Sequence, residues 1–410
     1  MPQELIDAIV DQLIFERATL VACSLLSHSW RAPSLRLLFT ALCIDGAPSG
    51  HKFKAFADFM AESPQLARHV EELELNDRSF NRLDLDILVD MLAVLPRLRV
   101  LRLDLVKLWG KEAPIIQTFP LEHLVLCTVA GHAGKCTILD VLRLFPDLRH
   151  LKLHSVRKFL PRIGSDILHT APWLEVPELT LYELVNDHIY IWLCSSIAAC
   201  TTLRIAITKS TELRTFFRQI SASLQYLEVV LWDSEVGFAV SGKFRANCTR
   251  KGTQAPLATV IDELHLEACL ALRSCTLYLG LILAFQETGG WLHFLQRLPR
   301  TLGRITIEFH DRAQADSFDA TQLEPILARF SELESITFRY HYPDAFLDYC
   351  RPRLEAAVKE RLARVLPALH RCHALRWDGD DLGHSPMEGR TPLLMRSKSS
   401  TCPVCGVCSS

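Results

Sequence analysis

Three residue types that can bind a metal or form a nucleophilic site recur at one position of a repeated pattern. Asp104, Cys127 and His154 each end a short segment of alternating apolar residues, and His123 and His150 begin two of these segments. If the segments are neighbouring parallel strands, about 4.8 Å apart, these side chains can meet. Cysteine, histidine and aspartate bind zinc and also form nucleophilic sites. We nevertheless expect neither role, because an open sheet face offers nothing that excludes water.

A second group of possible metal ligands lies in "TCPVCGVC" near the C-terminus. Cys402, Cys405 and Cys408 have a spacing that suits zinc or an iron–sulfur cluster when a fourth ligand joins them. No second CxxC or CxxH motif follows, and His384 is the only histidine nearby. We expect a bare tail here, and we find no phosphate-binding loop, HExxH or GxSxG motif elsewhere. The sequence therefore predicts no metal or other cofactor and a protein that is not an enzyme.

The segments that carry these residues are copies of one element, Leu-x-x-Leu-x-Leu. Clear copies begin at residues 70, 98, 121, 148 and 176, and weaker ones begin near 203, 224, 261, 302, 333 and 374. The spacings between equivalent leucines are 28, 23, 27, 28, 24 and 24 residues, counted over Leu73, Leu101, Leu124, Leu151, Leu179, Leu203 and Leu227. These values resemble the 20–29 residues of leucine-rich repeats. We therefore predict an α/β fold, an irregular array of parallel strands with helices between them, such as those at 85–95 and 138–145.

The array departs from the usual leucine-rich pattern in its turns and in its second half. Apolar residues occupy the turn position that usually holds asparagine or cysteine, so we expect apolar packing to stabilise the turns; they are Val106, Val129, Val156 and Leu184. Beyond residue 230 the predicted spacings lengthen to 37, 41, 31 and 39. Residues 237–256 have few apolar anchors and predict a mobile loop.

The first 45 residues predict three short helices that must pack together, because each is too short to be stable alone. Pro2 suits the first position of helix 1, Thr19 suits the cap of helix 2, and Pro33 suits the start of helix 3. Apolar residues at spacings of three and four predict one face of helix 1, formed by Leu5, Ile6, Ile9 and Leu13.

This segment, "MPQELIDAIVDQL…TLVACSLLSHSWRAPSLRLLF", resembles an F-box of the kind abundant in fungal proteins. The family pattern is Leu-Pro-x-Glu-Leu-Ile followed by Leu-x-x-Cys-Ser-Leu-Val-Ser-x-x-Trp, and this chain departs from it at Met1 and Leu26. The resemblance implies docking on a Skp-type adaptor, and through it membership of a cullin-RING ubiquitin ligase. The implied docking residues are Pro2, Leu5, Ile6, Ile9, Leu13, Leu20, Leu25 and Trp30. The alternative is a repeat scaffold whose N-terminal helices only cap the array.

The strand residues between the leucines point to the opposite face of the predicted sheet. They are mixed in charge and include aromatic rings, a composition typical of protein-binding surfaces. We expect a target protein to bind there, with Arg102, His150, Lys152, Tyr182, Tyr226 and Trp232 as the candidate contacts.

Composition limits the other possibilities. The 45 Lys and Arg residues nearly balance 47 Asp and Glu residues in a chain of 410, so we expect no nucleic-acid partner. No apolar run reaches the roughly 18 residues of a membrane span, so we expect no membrane partner. Acidic residues near the start argue against a secretory signal, and 14 scattered cysteines suit reduced thiols, so we expect a cytoplasmic or nuclear protein. The predicted organisation is an F-box at 1–45, the array at 46–380 and a disordered tail at 381–410.

Overall fold

The computed structural model describes residues 1–46, 51–77, 82–110, 117–131, 138–156, 174–182, 193, 196–207, 212–231, 257–279, 290–309, 322–340, 360, 364 and 375–377. Within these residues the fold is α/β, as predicted, with helices and one large open parallel sheet. None of the described helices has the length and apolar character that crossing a bilayer requires. The predicted loop at 237–256 and the predicted tail at 381–410 lie outside the described residues.

The large sheet has twelve strands in the described residues, and their spatial order is their order along the chain. The strands are β1 (Ala41–Asp45), β2 (Glu72–Asn76), β3 (Val100–Asp104), β4 (His123–Cys127), β5 (His150–His154), β6 (Glu178–Tyr182), β7 (Thr202–Ile207), β8 (Tyr226–Leu231), β9 (Ser274–Leu279), β10 (Arg304–Phe309), β11 (Ser335–Tyr340) and β12 (Leu375–Trp377). All neighbouring pairs are parallel. Strand β1 was not predicted, and it lies within the first 45 residues.

The repeated leucines set the register of this sheet. Leu73, Leu101, Leu124 and Leu151 are direct partners on consecutive strands, and the row continues through Leu179, Leu203 and Leu227. All seven side chains are buried, and so are the apolar residues two positions later on each strand. A slip of one residue would turn both buried rows to the opposite face of the sheet, so burial fixes the register strongly. The predicted equivalence of these leucines is confirmed.

One predicted strand was misplaced. The segment beginning at 261 is the end of a helix, Leu257–Glu263, and a following 3₁₀ turn, Leu266–Ala268. Its apolar residues still face the core, because their spacing also suits a helix. The strand at this point of the sheet is β9, where Cys275 takes the place of the leucine opposite Leu227. From Leu227 onward the observed spacings are therefore 48, 30, 31 and 39 residues.

Eleven α-helices accompany the strands in the described residues. They are α1 (Gln3–Gln12), α2 (Arg17–Leu26), α3 (His28–Thr40), α4 (His51–Glu62), α5 (Pro64–Ala67), α6 (Leu85–Val94), α7 (Ile138–Arg143), α8 (Glu212–Ile220), α9 (Leu257–Glu263), α10 (Gly290–Arg297) and α11 (Leu323–Leu327). The predicted helices at 85–95 and 138–145 are confirmed as α6 and α7. Apolar helix residues from α4 onward and inward strand residues from β1 onward form one continuous core, from Leu42 to Phe338.

A repeated turn follows three successive strands. Leu105, Thr128 and Ser155 have φ angles of 55°, 51° and 49°, in the left-handed region that side chains rarely adopt. Each of their N–H groups donates to the last carbonyl of the next strand, for example Thr128 N to His154 O at 2.8 Å. The residues that follow, Val106, Val129 and Val156, are completely buried, which agrees with turns stabilised by apolar packing; Leu184 lies outside the described residues.

Replacing Thr128 by asparagine should stabilise the protein. A β-branched residue in the left-handed region costs roughly 1–2 kcal/mol, and asparagine tolerates this conformation better. We expect Thr128→Asn to raise the free energy of unfolding by up to about 1 kcal/mol, measured by urea denaturation. The matched control is Thr215→Asn on the exposed side of α8, which should bring no gain. A Thr128→Asn protein that is no more stable than the wild type would contradict the strained turn.

Candidate functional site

Helices α1 to α3 form a small unit, called here the N-terminal module (residues 1–40). Helices α1 and α2 both pack on α3, and α3 continues directly into β1. The module has its own apolar core of Ile6, Val10, Leu20 and Leu38, separate from the core of the sheet. Phe39 packs against both cores and therefore links the module to the first strand.

The helix boundaries of the module differ from the predicted ones. Pro2 precedes α1 as its cap residue, and α3 begins at His28, so Pro33 lies inside that helix. Proline has no N–H, and the carbonyl of Ser29, four residues earlier, loses its helical partner. The Gln3 side chain of α1 replaces it, because Gln3 Nε2 donates to Ser29 O at 3.1 Å. The interior proline thus creates a contact point between α3 and α1.

The second helix also begins earlier than predicted, at Arg17. Thr19 lies in its first turn and is not the cap residue. Its hydroxyl donates to the carboxylate of the preceding Glu16 at 3.0 Å. Both groups are exposed, so this bond adds little stability.

Exposed apolar side chains are concentrated on the N-terminal module. Eight of the eleven large apolar side chains that are exposed in the described residues belong to the first 26 residues: Met1, Leu5, Ile9, Ile14, Phe15, Val21, Leu25 and Leu26. Leu5 and Ile9 are four residues apart on α1, and Val21 and Leu25 are four apart on α2, so each pair lines one helix face. Phe15, between the two helices, is 95% exposed, and Leu25 is 81% exposed. Such a concentration is typical of an interaction surface.

The residues predicted to dock an adaptor fall into two groups. Pro2, Leu5, Ile9 and Leu25 are exposed on the module surface. Ile6 and Leu20 lie in the module core, and Leu13 and Trp30 are half-buried against it. The predicted single face of helix 1 is therefore divided, with Ile6 and Leu13 directed inward and Leu5 and Ile9 directed outward. The core residues maintain the shape of the module, while the exposed ones are free to contact a partner.

Five exposed apolar residues of the module were not among the predicted docking residues: Met1, Ile14, Phe15, Val21 and Leu26. Ile14 and Phe15 follow the last turn of α1 and lie outside its helical period. Adjacent large apolar residues in the four-residue connection between two short helices could have been noticed, because so small a unit has little with which to cover them.

The outward-facing residues of β2–β8, at the first, third and fifth positions of each strand, are called here the outer face. His123 and His150 are direct partners on β4 and β5, and their rings meet edge to face with centroids 5.7 Å apart. His150 Nε2 also lies 3.0 Å from the hydroxyl oxygen of Thr180 on β6, which is itself buried. The two histidines and the threonine thus form a continuous hydrogen-bonded and aromatic group across three strands.

The pKa of His150 is lowered from 6.5 to about 4. Burial is the largest cause, because it disfavours the charged ring. The neighbouring His123, Arg204 and Lys152 lower it further through positive charge. His150 is therefore neutral at physiological pH and acts as a hydrogen-bonding ring.

A second group on the outer face is centred on Tyr182. The ring of His154 meets the Tyr182 ring edge to face at 6.4 Å, and Lys152 Nζ lies 5.9 Å from the centre of the Tyr182 ring. The Tyr182 hydroxyl donates to Glu228 at 3.5 Å, and the same carboxylate forms an ion pair with Arg204 Nε at 3.2 Å. These contacts span β5 to β8 and orient the aromatic and charged side chains.

The row of Asp104, Cys127 and His154 has the predicted register, since each residue is the direct partner of the next. In the part of the chain that the structure describes, however, no three His, Cys, Asp or Glu side chains gather closely enough to hold a metal ion. Burial raises the pKa of Asp104, and the nearby Glu74 raises it further. Cys402, Cys405 and Cys408 lie outside the described residues.

The remaining predicted target contacts are placed as follows. Arg102, Lys152 and Tyr182 are half-buried on the outer face, and Tyr226 is half-exposed there; Trp232 lies outside the described residues.

No protein-family model matches the sequence, and no curated protein matches it at a significant level. The resemblances to an F-box and to leucine-rich repeats therefore stay predictions. A function must be inferred from the surfaces of the N-terminal module and the outer face.

The histidine group should make stability depend on pH. The pKa of His150 is lower in the folded protein than its ordinary value of 6.5, so the unfolded chain binds this proton more readily. The contribution of neutral His150 to stability is complete above pH 6.5 and is lost as the pH falls toward about 4. We expect the Tm of the wild type to fall more steeply over this window than that of His150→Gln, measured by thermal denaturation. Parallel curves for the two proteins would show that His150 titrates as an ordinary surface histidine.

Proposed function

We propose that the protein is the substrate-recognition subunit of a Skp–cullin–F-box ubiquitin ligase. In this proposal the N-terminal module binds a Skp-type adaptor, and the outer face of the sheet binds a target protein. The observation that carries it is the concentration of exposed apolar side chains on a module whose sequence resembles an F-box. Such a receptor forms and breaks no covalent bond itself, and it acts in the cytoplasm or nucleus, where such ligases operate.

The exposed side chains of the module favour a protein partner over bare solvent. Full burial of a Leu, Ile or Phe side chain contributes about 1.5–3 kcal/mol relative to exposure. Phe15, Leu25 and Leu5 are each more than half exposed, so much of this gain is not realised within the chain. Helices α1 and α2 are already packed through their inward residues Ile6, Val10 and Leu20, so covering the outward residues requires no rearrangement of the module.

The remaining sheet and helices fit an irregular, leucine-rich-repeat-like solenoid. Strand order follows chain order, the inward leucines form continuous rows, and helices occur between strands. This arrangement supports a rigid surface, on which a bound target would be presented to the ligase. Tethering raises the effective concentration of a target lysine near the charged ligase, which is the main physical action of a receptor.

One observation favours the alternative, a repeat scaffold whose N-terminal helices act as a cap. Helix α3 runs directly into β1, and Phe39 contributes to both cores, as a capping unit requires. A cap, however, covers the end of an array with its apolar residues. Here β1 is paired with β2, and Leu5, Phe15 and Leu25 are exposed, so these three side chains do not cover the array. We therefore place the adaptor-binding function first.

Changing Leu5 and Ile9 together to aspartate should abolish adaptor binding. The double change removes apolar contact and adds the cost of desolvating two charges at an interface. We expect affinity to fall by at least about two orders of magnitude, since each 1.4 kcal/mol is tenfold. The measurement is co-purification of a Skp-type adaptor co-expressed with the full-length chain.

The matched control for this experiment is the double change Phe59→Asp and Leu270→Asp. These two residues are also exposed and apolar, but they lie outside the module. The control should retain the adaptor, and both variants should melt like the wild type. If the wild type retains no adaptor, the chain is not an F-box protein, and the capping interpretation replaces it. Equal retention by all three proteins would show that this face of α1 is not the docking surface.

A further inference from the structure

The third positions of five consecutive strands, β3 to β7, form a row of side chains across the outer face, called here the middle row. In register it reads Arg102, Val125, Lys152, Thr180 and Arg204. A cation therefore occurs on every second strand, with an uncharged residue between, and the five positions include no carboxylate. The strands on either side of the row, β2 and β8, place Glu74 and Glu228 at the same position.

The spacing of these cations matches an extended peptide in the polyproline II conformation. Neighbouring strands are about 4.8 Å apart, so cations two strands apart are separated by roughly 10 Å. A polyproline II segment has three residues per turn and advances about 3.1 Å per residue, so side chains three residues apart lie on the same side, about 9 Å apart. The distance from Arg102 to Arg204, four strand spacings, is about 19 Å, close to the distance between the first and seventh residues of such a segment. A carboxylate at every third residue would then meet one cation each.

The surroundings of the middle row suit an extended chain that crosses the strands. The ring pair His123 and His150 flanks the row on the side where the strands begin, and the ring pair His154 and Tyr182 flanks it where they end. Between these pairs, Thr180 is buried and Val125 is half-buried, so the surface between the cations is uncharged. Peptide groups and short side chains can lie there between rings whose positions are already fixed by contacts with each other.

The three cations differ in how far they are already neutralised. Arg204 bonds to Glu228 at 3.2 Å. In the described residues neither Arg102 nor Lys152 has a carboxylate within ion-pair distance, although both are half-buried. Lys152 is instead oriented by the Tyr182 ring at 5.9 Å. Arg102 and Lys152 therefore offer positive charge to a ligand. A ligand carboxylate at Arg204 would compete with Glu228.

We infer that the middle row binds an acidic segment of the target protein in the extended polyproline II conformation, about seven residues long, with Asp or Glu at its first, fourth and seventh positions. This inference rests on the proposed function, and it names the class of target that the receptor recognises. Glu74 and Glu228 repel further acidic residues at the two ends and so fix which residues lie over the row. Carboxylates fit better than a phosphate, which is bound by cations that converge on one point. The chain has a net charge of −2, which disfavours a nucleic acid.

The test uses two fluorescent peptides of identical composition and the full-length protein. The spaced peptide has the order Glu-Ser-Thr-Glu-Ser-Thr-Glu, and the clustered peptide has Glu-Glu-Glu-Ser-Thr-Ser-Thr, both with blocked termini. We expect the spaced peptide to bind at least about five-fold more tightly by fluorescence anisotropy, because only it reaches all three cations. Binding should weaken as salt is raised from 0.05 to 0.5 M, in proportion to screening, with a Debye length of about 10 Å at 0.1 M.

Three single substitutions give the sharpest discrimination. Lys152→Gln should weaken binding of the spaced peptide by about five-fold, because it removes the central charge. Glu228→Gln should strengthen binding, because it frees Arg204 and removes a repelling charge. Arg214→Gln removes an exposed cation on α8, away from the sheet face, and should change nothing. Melting curves of the three variants confirm that each protein is folded.

The inference is overturned if the spaced peptide fails to bind, if the two peptides bind equally, or if Lys152→Gln and Arg214→Gln have the same effect. Tighter binding of a single-stranded oligonucleotide than of the spaced peptide would also overturn it, in favour of a nucleic-acid site. None of these outcomes depends on the N-terminal module. Retention of the adaptor in the same preparations would then leave the ligase function standing, while loss of the adaptor with intact peptide binding would contradict the ligase function alone.

Discussion

Burial of the inward strand residues sets the register of the whole sheet. Leu73, Leu101 and their partners form a continuous row across the sheet, and a second row follows two residues later. Because side chains alternate along a strand, fixing these rows also fixes every outward residue. The alignment of His123 with His150, and the cation on every second strand from Arg102 onward, are consequences of that register. The outer face is thus precise in the positions of its side chains, because burial on the opposite side of the sheet sets the register.

The N-terminal module is built on a different principle. Its core of Ile6, Val10, Leu20 and Leu38 is small, and packing of this size supplies little stability by itself. Two features link it to the larger body: Phe39 lies in both cores, and α3 continues into β1 without a connecting loop. The module therefore gains support on one side and presents its apolar surface on the other. In the proposed receptor, this attachment would keep the distance between the adaptor and the target constant.

How far the sequence predicts this fold can be judged from particular elements. The leucine pattern correctly placed β2 to β8, because a strand with one buried face leaves a period of two that few other structures produce. The pattern failed at residues 261–266, where Ile261 and Leu264 face the core from a helix and a turn. It also missed β9, because Cys275 stands there at the position that a leucine holds in β2 to β8. It missed β1 as well, although Phe39, Leu42 and Ile44 have the same spacing as the other copies, because this stretch was assigned to the N-terminal helices. The contacts on the outer face were beyond sequence reasoning: register brings Tyr182 and Glu228 to nearby strands, but their hydrogen bond depends on side-chain rotamers.

In the proposed receptor, the N-terminal module binds an adaptor and the outer face of the sheet binds a target protein. Both roles can be tested together through the composition of the complex that the full-length chain forms in its own cells, determined by affinity purification and quantitative mass spectrometry. We expect a Skp-type adaptor in about equal amount to the chain, with a cullin present, and loss of both when residues 1–40 are deleted. If the full-length chain is purified without an adaptor or a cullin, the protein is not a receptor of this ligase class.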